Sequence, residues 1–236
     1  MTTDKILDCK LIEDDNINDP FIYINPNALN KMVCKDIIKL FDLDETKGQG
    51  MVSGGYRPEI KNALNLDIKL NNPKWTKIYD ALIKELHRNI KKYIKQVDIF
   101  SGGTYLSDAI TFLQCDDPML QKYIKNEGKY IYHDDFKAEY ENYRYRVFTY
   151  IFYLNDVFEG GETEFLFGKY KIKPSAGKLI LFPASWTYPH CGKMPYSNDK
   201  YIITGWLYEN EDKRVMNYVN NYKNNKNKNN KNNILK

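Results

Sequence analysis

Histidine is scarce in this chain, with three in 236 residues, and the four cysteines (Cys9, Cys34, Cys115 and Cys191) never approach a C-x-x-C spacing. That scatter argues against a disulfide framework and a zinc knuckle, and suits a reducing compartment. No apolar run reaches the roughly 18 residues needed to cross a bilayer. The opening Met1-Thr2-Thr3-Asp4-Lys5 lacks the basic-then-apolar order of a signal peptide. The expectation is a cytoplasmic protein with no membrane partner. Net charge is low as well. Of the overall +4, residues 220–236 supply five lysines and no acid, which leaves the first 219 residues at −1. A near-neutral body argues against a nucleic-acid groove, and limits the basic tail to weak, salt-sensitive contacts.

Aromatic residues are plentiful at 14%, including 20 tyrosines, and 42% of the chain is hydrophobic. This composition favours one β-rich core with polar-tipped linings. Phe21-Ile22-Tyr23-Ile24 reads as an early strand. Asn25-Pro26-Asn27 reads as a capped helix start, followed by Leu29, Met32, Val33, Ile37, Leu40 and Phe41 at helical spacing. Gly48, Gly50, Gly54 and Gly55 mark a flexible loop. After Asn72-Pro73, the residues Trp75, Ile78, Tyr79, Leu82, Leu86, Ile90, Tyr93 and Ile94 form the apolar stripe of a longer helix.

From Ala109 the pattern changes to short β-type runs: 110–114, 130–135, 147–154, 164–167, 179–182 and 201–207. Many short strands without intervening helices predict an α+β, mainly β fold, with a sandwich or jelly-roll core and the N-terminal helices against one sheet. The organisation expected is a helical support with early strands over 1–108, in the same domain as a catalytic core over 109–210. A tail over 211–236, rich in Asn and Lys, is expected to be disordered.

The chemistry concentrates in Tyr130-Ile131-Tyr132-His133-Asp134-Asp135-Phe136. Residues two apart on a strand share a face, so His133 and Asp135 project together and Asp134 points away. An imidazole beside a carboxylate is two-thirds of a 2-His-1-carboxylate site for non-haem iron. A second histidine must come from a distant strand. His87 lies just off the long helix's apolar stripe, where a surface residue is the ordinary reading, and His190 follows an apolar strand. Ten residues later, Lys200 opens another apolar strand, where an inward ammonium requires an anion such as a dicarboxylate cosubstrate. The Tyr153 phenol is a candidate donor to the same carboxylate. Cys191 is read as a bystander, and Glu162 and Glu164 as groups that cap or pair near their turn.

In order, His133-x-Asp135, Arg146-x-x-Thr149-x-x-x-Tyr153-Leu154-Asn155-Asp156, Gly160-Gly161-Glu162-Thr163-Glu164-Phe165, His190 and Lys200 closely resemble the prolyl 4-hydroxylase group of Fe(II)/2-oxoglutarate dioxygenases. The resemblance covers roughly residues 109–208 and implies a double-stranded β-helix (jelly roll). It implies His133, Asp135 and His190 as iron ligands, Lys200 as the salt-bridge partner of 2-oxoglutarate, and Tyr153 as its hydrogen-bond donor. Tyr123 and Tyr130 match pocket-lining tyrosines of the family. Thr204 and Trp206 share a strand face with Lys200 and should line the same cavity.

The implied activity is hydroxylation of an unactivated C–H bond with O2, releasing succinate and CO2, with ascorbate as candidate reductant. A prolyl residue of a protein or peptide is the leading substrate. Lysine as the anchor leans to the collagen type, whereas the Lys200-Tyr201-Ile202-Ile203-Thr204-Gly205-Trp206 strand looks like the hypoxia type. The competing expectations are a small-molecule or nucleic-acid oxygenase, and a non-catalytic jelly-roll binding module.

Overall fold

The computed structural model describes residues 17–110, 113–139 and 144–210. The tail expected to be disordered, 211–236, lies outside them. In chain order the elements begin with β1 (Tyr23–Asn25), α1 (Lys31–Leu43), β2 (Gly48–Gln49), β3 (Met51–Val52), β4 (Gly55–Tyr56), β5 (Lys61–Asn62) and β6 (Leu64–Asp67). Two helices follow, α2 (Thr76–Ser101) and α3 (Tyr105–Ala109), then β7 (Leu113–Cys115), β8 (Met119–Tyr123), β9 (Lys129–His133) and β10 (Ala138–Glu139). The remainder is β11 (Arg144–Tyr153), β12 (Thr163–Phe165), β13 (Tyr170–Ile172), β14 (Leu179–Pro183), β15 (His190–Gly192) and β16 (Lys200–Asn210).

Two antiparallel sheets face each other in a jelly roll. The larger runs β1-β14-β11-β16-β8-β6-β2, with β10 on β11 and β7 on β16; the smaller runs β13-β12-β15-β9-β5. The central strands of the larger sheet are buried on both faces, which is why they read as continuous apolar runs. On β11, Phe148, Tyr150 and Phe152 pack towards the helices, while Ile151 and Tyr153 enter the core between the sheets. Strand β14 splits in the same way, Leu179 and Leu181 to one side and Ile180 and Phe182 to the other.

The helices cover the outer face of the larger sheet. In α2, Leu82, Leu86, Ile90, Tyr93 and Val97 are buried, and so is Asn89. The Asn89 carboxamide oxygen accepts hydrogen bonds from the Tyr23 hydroxyl (2.8 Å) and the Asn25 side chain (2.7 Å), tying the helix to β1. Gly102 closes α2 at φ 73°, a left-handed cap that disfavours a side chain. Trp75, wholly buried just before α2, donates from its indole nitrogen to Asp44 at the end of α1 (2.9 Å).

Three local expectations change. Helix α1 starts at Lys31 with Asn30 as its cap, accepting from the Met32 N–H, because Asn25 instead accepts from the Asn27 N–H and makes a turn. Its buried stripe is accordingly Cys34, Ile37 and Phe41, with Met32 and Val33 exposed. The glycine-rich stretch expected to be a loop forms β2 and the β3–β4 hairpin, turned by Gly54 and Gly55 at φ 97° and 106°. The strand expected over 164–167 ends at Phe165, because Leu166 and Phe167 take positive φ in a 3-10 turn. Of the strand expected over 110–114, residues 111 and 112 lie outside the described residues, and β7 occupies Leu113–Cys115.

Candidate metal and cosubstrate site

Strand β9 ends on His133, and β15 begins on His190, its cross-strand partner. Asp135 lies two residues beyond the end of β9. The three side chains bring their ligand atoms within 4.8 Å of one another, the only such group of three or more His, Cys, Asp or Glu among the described residues. His133 Nε2 stands 3.8 Å from Asp135 Oδ1, and His190 Nε2 stands 3.5 Å from Oδ2.

Each Nδ1 faces a backbone carbonyl, Ile131 for His133 (2.8 Å) and Tyr188 for His190 (3.2 Å). A carbonyl only accepts, so both Nδ1 atoms carry the proton, and both Nε2 lone pairs are turned towards the carboxylate. The Thr149 hydroxyl donates to Asp135 Oδ2 (2.7 Å) and fixes the third donor. Burial, aided by the facing His190, pulls the His133 pKa down to about 3. Burial opposes ionisation of Asp135, yet His190, His133 and Thr149 together hold its pKa below the usual value. Neutral imidazole and ionised carboxylate are the forms that bind a metal.

A cavity of about 590 Å³ opens beside this group. A register shift between β15 and β9 sets two steps on β15 against three on β9, pairing Gly192 with Tyr130. The extra residue brings Tyr130 to the same side as His133, where the rings stack at 3.5 Å. Lys200 is 1% exposed, and its ammonium lies 5.3 Å from the ring centre of Tyr123, its cross-strand partner, and 5.7 Å from that of Tyr153. Burial lowers the Lys200 pKa to about 8, against the opposing pull of Glu162 and Cys191.

Tyr123, Tyr130, Lys200, Thr204 and Trp206 line the cavity with the three candidate ligands. Tyr153 is fully buried but is absent from the lining; its hydroxyl donates to Thr163 Oγ1 (2.7 Å), and Thr163 does line the cavity. Tyr123 donates to Gln121 Oε1 (2.7 Å) and Thr204 to the Tyr150 carbonyl (2.8 Å), so both hydroxyl protons are committed. Glu164 accepts from Tyr132 and pairs with Lys171 and Lys193, away from the cavity lining. His87 is exposed on α2.

Lys61, Gln121, Thr149 and Thr163 were given no site role from the sequence, although Thr149 and Thr163 stand in its motifs. For Thr149 a signal was available, since it lies two residues before Ile151 on β11, and both line the cavity. Lys61 sits on a two-residue strand whose pairing with Tyr130 no local pattern announces.

Residues 118–208 match the family model described as the 2OG-Fe(II) oxygenase superfamily. A curated relative from Acanthamoeba polyphaga mimivirus, provisionally named a prolyl 4-hydroxylase, is 25% identical over 218 residues, covering 84% of this chain and 77% of its own. Among solved structures, a prolyl hydroxylase from Trichoplax adhaerens, in complex with a hypoxia inducible factor peptide fragment, aligns with TM-score 0.60 and 22% identity, covering 86% of this chain and 89% of its own. The viral collagen prolyl hydroxylase of Paramecium Bursaria Chlorella virus-1, as its 2OG complex, aligns with TM-score 0.57 and 18% identity over 80% and 96%. Over residues 118–208 the chain is thus similar to Fe(II)/2-oxoglutarate-dependent oxygenases, and the relatives it matches are named prolyl hydroxylases. Among the described residues, no helix is long and apolar enough to cross a membrane.

Proposed function

We propose that this enzyme hydroxylates a prolyl residue of a protein or peptide, consuming 2-oxoglutarate and O2 and releasing succinate and CO2. In this reading His133, Asp135 and His190 hold Fe(II), and Lys200 pairs with the far carboxylate of 2-oxoglutarate. The observation that carries the reading is the junction of two kinds of group in one cavity. Two imidazoles and a carboxylate converge with their Nε2 lone pairs turned inward, and a buried ammonium stands in the same wall.

The donor set suits the metal. Two neutral nitrogens and one carboxylate on one side of an ion leave further positions open for cosubstrate and oxygen. Bound iron with 2-oxoglutarate supplies the oxidant for C–H cleavage. The chain's own residues prepare for it. The Ile131 and Tyr188 carbonyls fix the tautomers, and Thr149 restrains one oxygen of Asp135. Lys200 orients the cosubstrate by charge, and Ile151 and Ile202 give the lining apolar wall that limits water. Arg146, stacked 3.5 Å above the Trp206 ring, and the exposed Phe136 also line the cavity.

The prolyl assignment draws on the relatives named prolyl hydroxylases. It is tested by mass spectrometry of proline-rich peptides incubated with enzyme, Fe(II), 2-oxoglutarate and air. The expected result is gain of one oxygen atom on proline, matched by succinate. Stoichiometric oxidation elsewhere, or none across a broad peptide panel with 2-oxoglutarate still consumed, would overturn the prolyl reading.

A further inference from the structure

Lys61 is a second buried lysine of the same cavity, 5% exposed, on the edge strand β5 of the smaller sheet. Its ammonium lies 5.0 Å from the ring centre of Tyr130, the residue stacked on His133. Among the described residues no carboxylate lies within ion-pair distance of it. The position is built rather than accidental. Gly50 passes so close that a Cβ there would stand 3.4 Å from the Lys61 Cε and 3.1 Å from the Ala63 carbonyl, so a bare backbone packs along the lysine stem.

With the exposed Lys137 set aside, Lys61, Arg146 and Lys200 line the cavity with Asp134 and Asp135, so cations outnumber carboxylates by one. Fe(II) and the 2-oxoglutarate dianion cancel each other and leave that surplus intact. In the proposed function, the metal takes one carboxylate of 2-oxoglutarate and Lys200 the other. Lys61 is left with only the electrostatic pull of Asp135, a carboxylate that the metal would share, and a buried ammonium without a partner of its own is costly. It follows the β3–β4 hairpin by five residues, and the hairpin's Met51, Val52 and Ser53 line the same cavity.

We propose that Lys61 is a specificity-determining residue that receives a substrate carboxylate, so that the enzyme prefers an acidic peptide segment around the oxidised residue. This rests on the proposed function for the substrate being a peptide. Burial leaves the Lys61 pKa at about 8, so the side chain is still mainly an ammonium at neutral pH. A neutral peptide would bury this charge without a partner, whereas a Glu or Asp side chain would complete the pair.

The test uses fluorescein-labelled prolyl peptides that differ only in Glu against Gln at positions flanking the proline. Their binding to protein loaded with Fe(II) and 2-oxoglutarate under nitrogen is followed by anisotropy. At the best flanking position, the wild-type protein should bind the Glu peptide about tenfold or more tighter, the size of one charge-assisted pair. Lys61→Met should bring that ratio to near one with an unchanged apparent 2-oxoglutarate constant, and Lys61→Arg should keep much of the preference. Unchanged circular dichroism and thermal midpoint verify the fold of each variant; should Lys61→Met fail that check, Lys61→Gln replaces it.

An equal affinity for Glu and Gln peptides in the wild type, or a preference that survives Lys61→Met, would overturn the proposal. A large rise in the 2-oxoglutarate constant of Lys61→Met would also overturn it, by making Lys61 a cosubstrate anchor. Failure of the underlying reading is separable, since it shows as no peptide-stimulated 2-oxoglutarate turnover in air, whereas the preference is read from binding without oxygen.

Discussion

His133 and His190 are cross-strand partners, their ring centres 4.3 Å apart, and each presents Nε2 to a different oxygen of Asp135. Two strands distant in sequence thus deliver both imidazoles to one carboxylate, with each tautomer fixed by the strand's own carbonyl. The donors are poised before any metal arrives.

His133→Ala, Asp135→Ala and His190→Ala should each abolish succinate production, while His87→Ala, on the exposed face of α2, should leave it unchanged. A fold readout separates this from collapse. Under nitrogen, Mn(II) at a hundred times its dissociation constant should stabilise the wild type by about 2.7 kcal/mol. The three alanine variants should lose most of this gain in thermal denaturation, and His87→Ala should keep it.

Lys200→Met removes the buried ammonium while leaving the metal donors in place. Loss of a charged hydrogen bond of roughly 1.5–3 kcal/mol should raise the apparent 2-oxoglutarate constant between about tenfold and a hundredfold. Metal binding should change far less. Lys200→Arg should fall between, because a guanidinium pairs with carboxylate but needs more room in this wall. Titration of each variant with 2-oxoglutarate checks both.

The same lysine sets a pH dependence. Burial lowers its folded pKa to about 8, below the ordinary 10.5. Between those values the unfolded chain holds more protons, so the cosubstrate-free protein gains stability from this group as pH rises from about 8 towards 10.5. The slope is at most about 1.4 kcal/mol per pH unit. Because Lys61, also lowered to about 8, adds a rise over the same window, urea denaturation at several pH values should show a steeper increase in the wild type than in Lys200→Met.

Gly205 tests the larger sheet. It pairs with Tyr150 across β16 and β11, and a Cβ there would collide with the Tyr150 hydroxyl. Tyr150 is 1% exposed and has little room to retreat. Gly205→Ala should therefore destabilise by about 1–3 kcal/mol, the usual cost of overpacking, measured as a lower urea midpoint with an unchanged slope.

The strongest strands were legible because the larger sheet is buried on both faces: 147–154 and 179–182 read as unbroken apolar runs and became β11 and β14. Strands β8 and β13 were not, since Met119-Leu120-Gln121-Lys122-Tyr123 and Tyr170-Lys171-Ile172 mix polar residues into short runs that only tertiary pairing defines. Helix α1 was legible in kind but not in phase, because three nearby asparagines compete as caps and only the fold selects Asn30. In the site, His133, Asp135, His190 and Lys200 stood out as rare or misplaced residue types. Lys61 did not: it is one lysine among many, buried by a two-residue strand and a glycine eleven positions away. Tyr130 reaches the cavity through a bulge, which strict alternation along β9 hides.

In the proposed arrangement one cavity holds Fe(II) through His133, Asp135 and His190 together with 2-oxoglutarate through Lys200. The most direct measurement is anaerobic absorption spectroscopy of the full chain titrated with Fe(II) and 2-oxoglutarate. A weak visible charge-transfer band is expected only when both are present, absent from His190→Ala and requiring more 2-oxoglutarate in Lys200→Met. A wild-type spectrum that stays flat with both ligands at saturation, or a band that survives in His190→Ala, would contradict it.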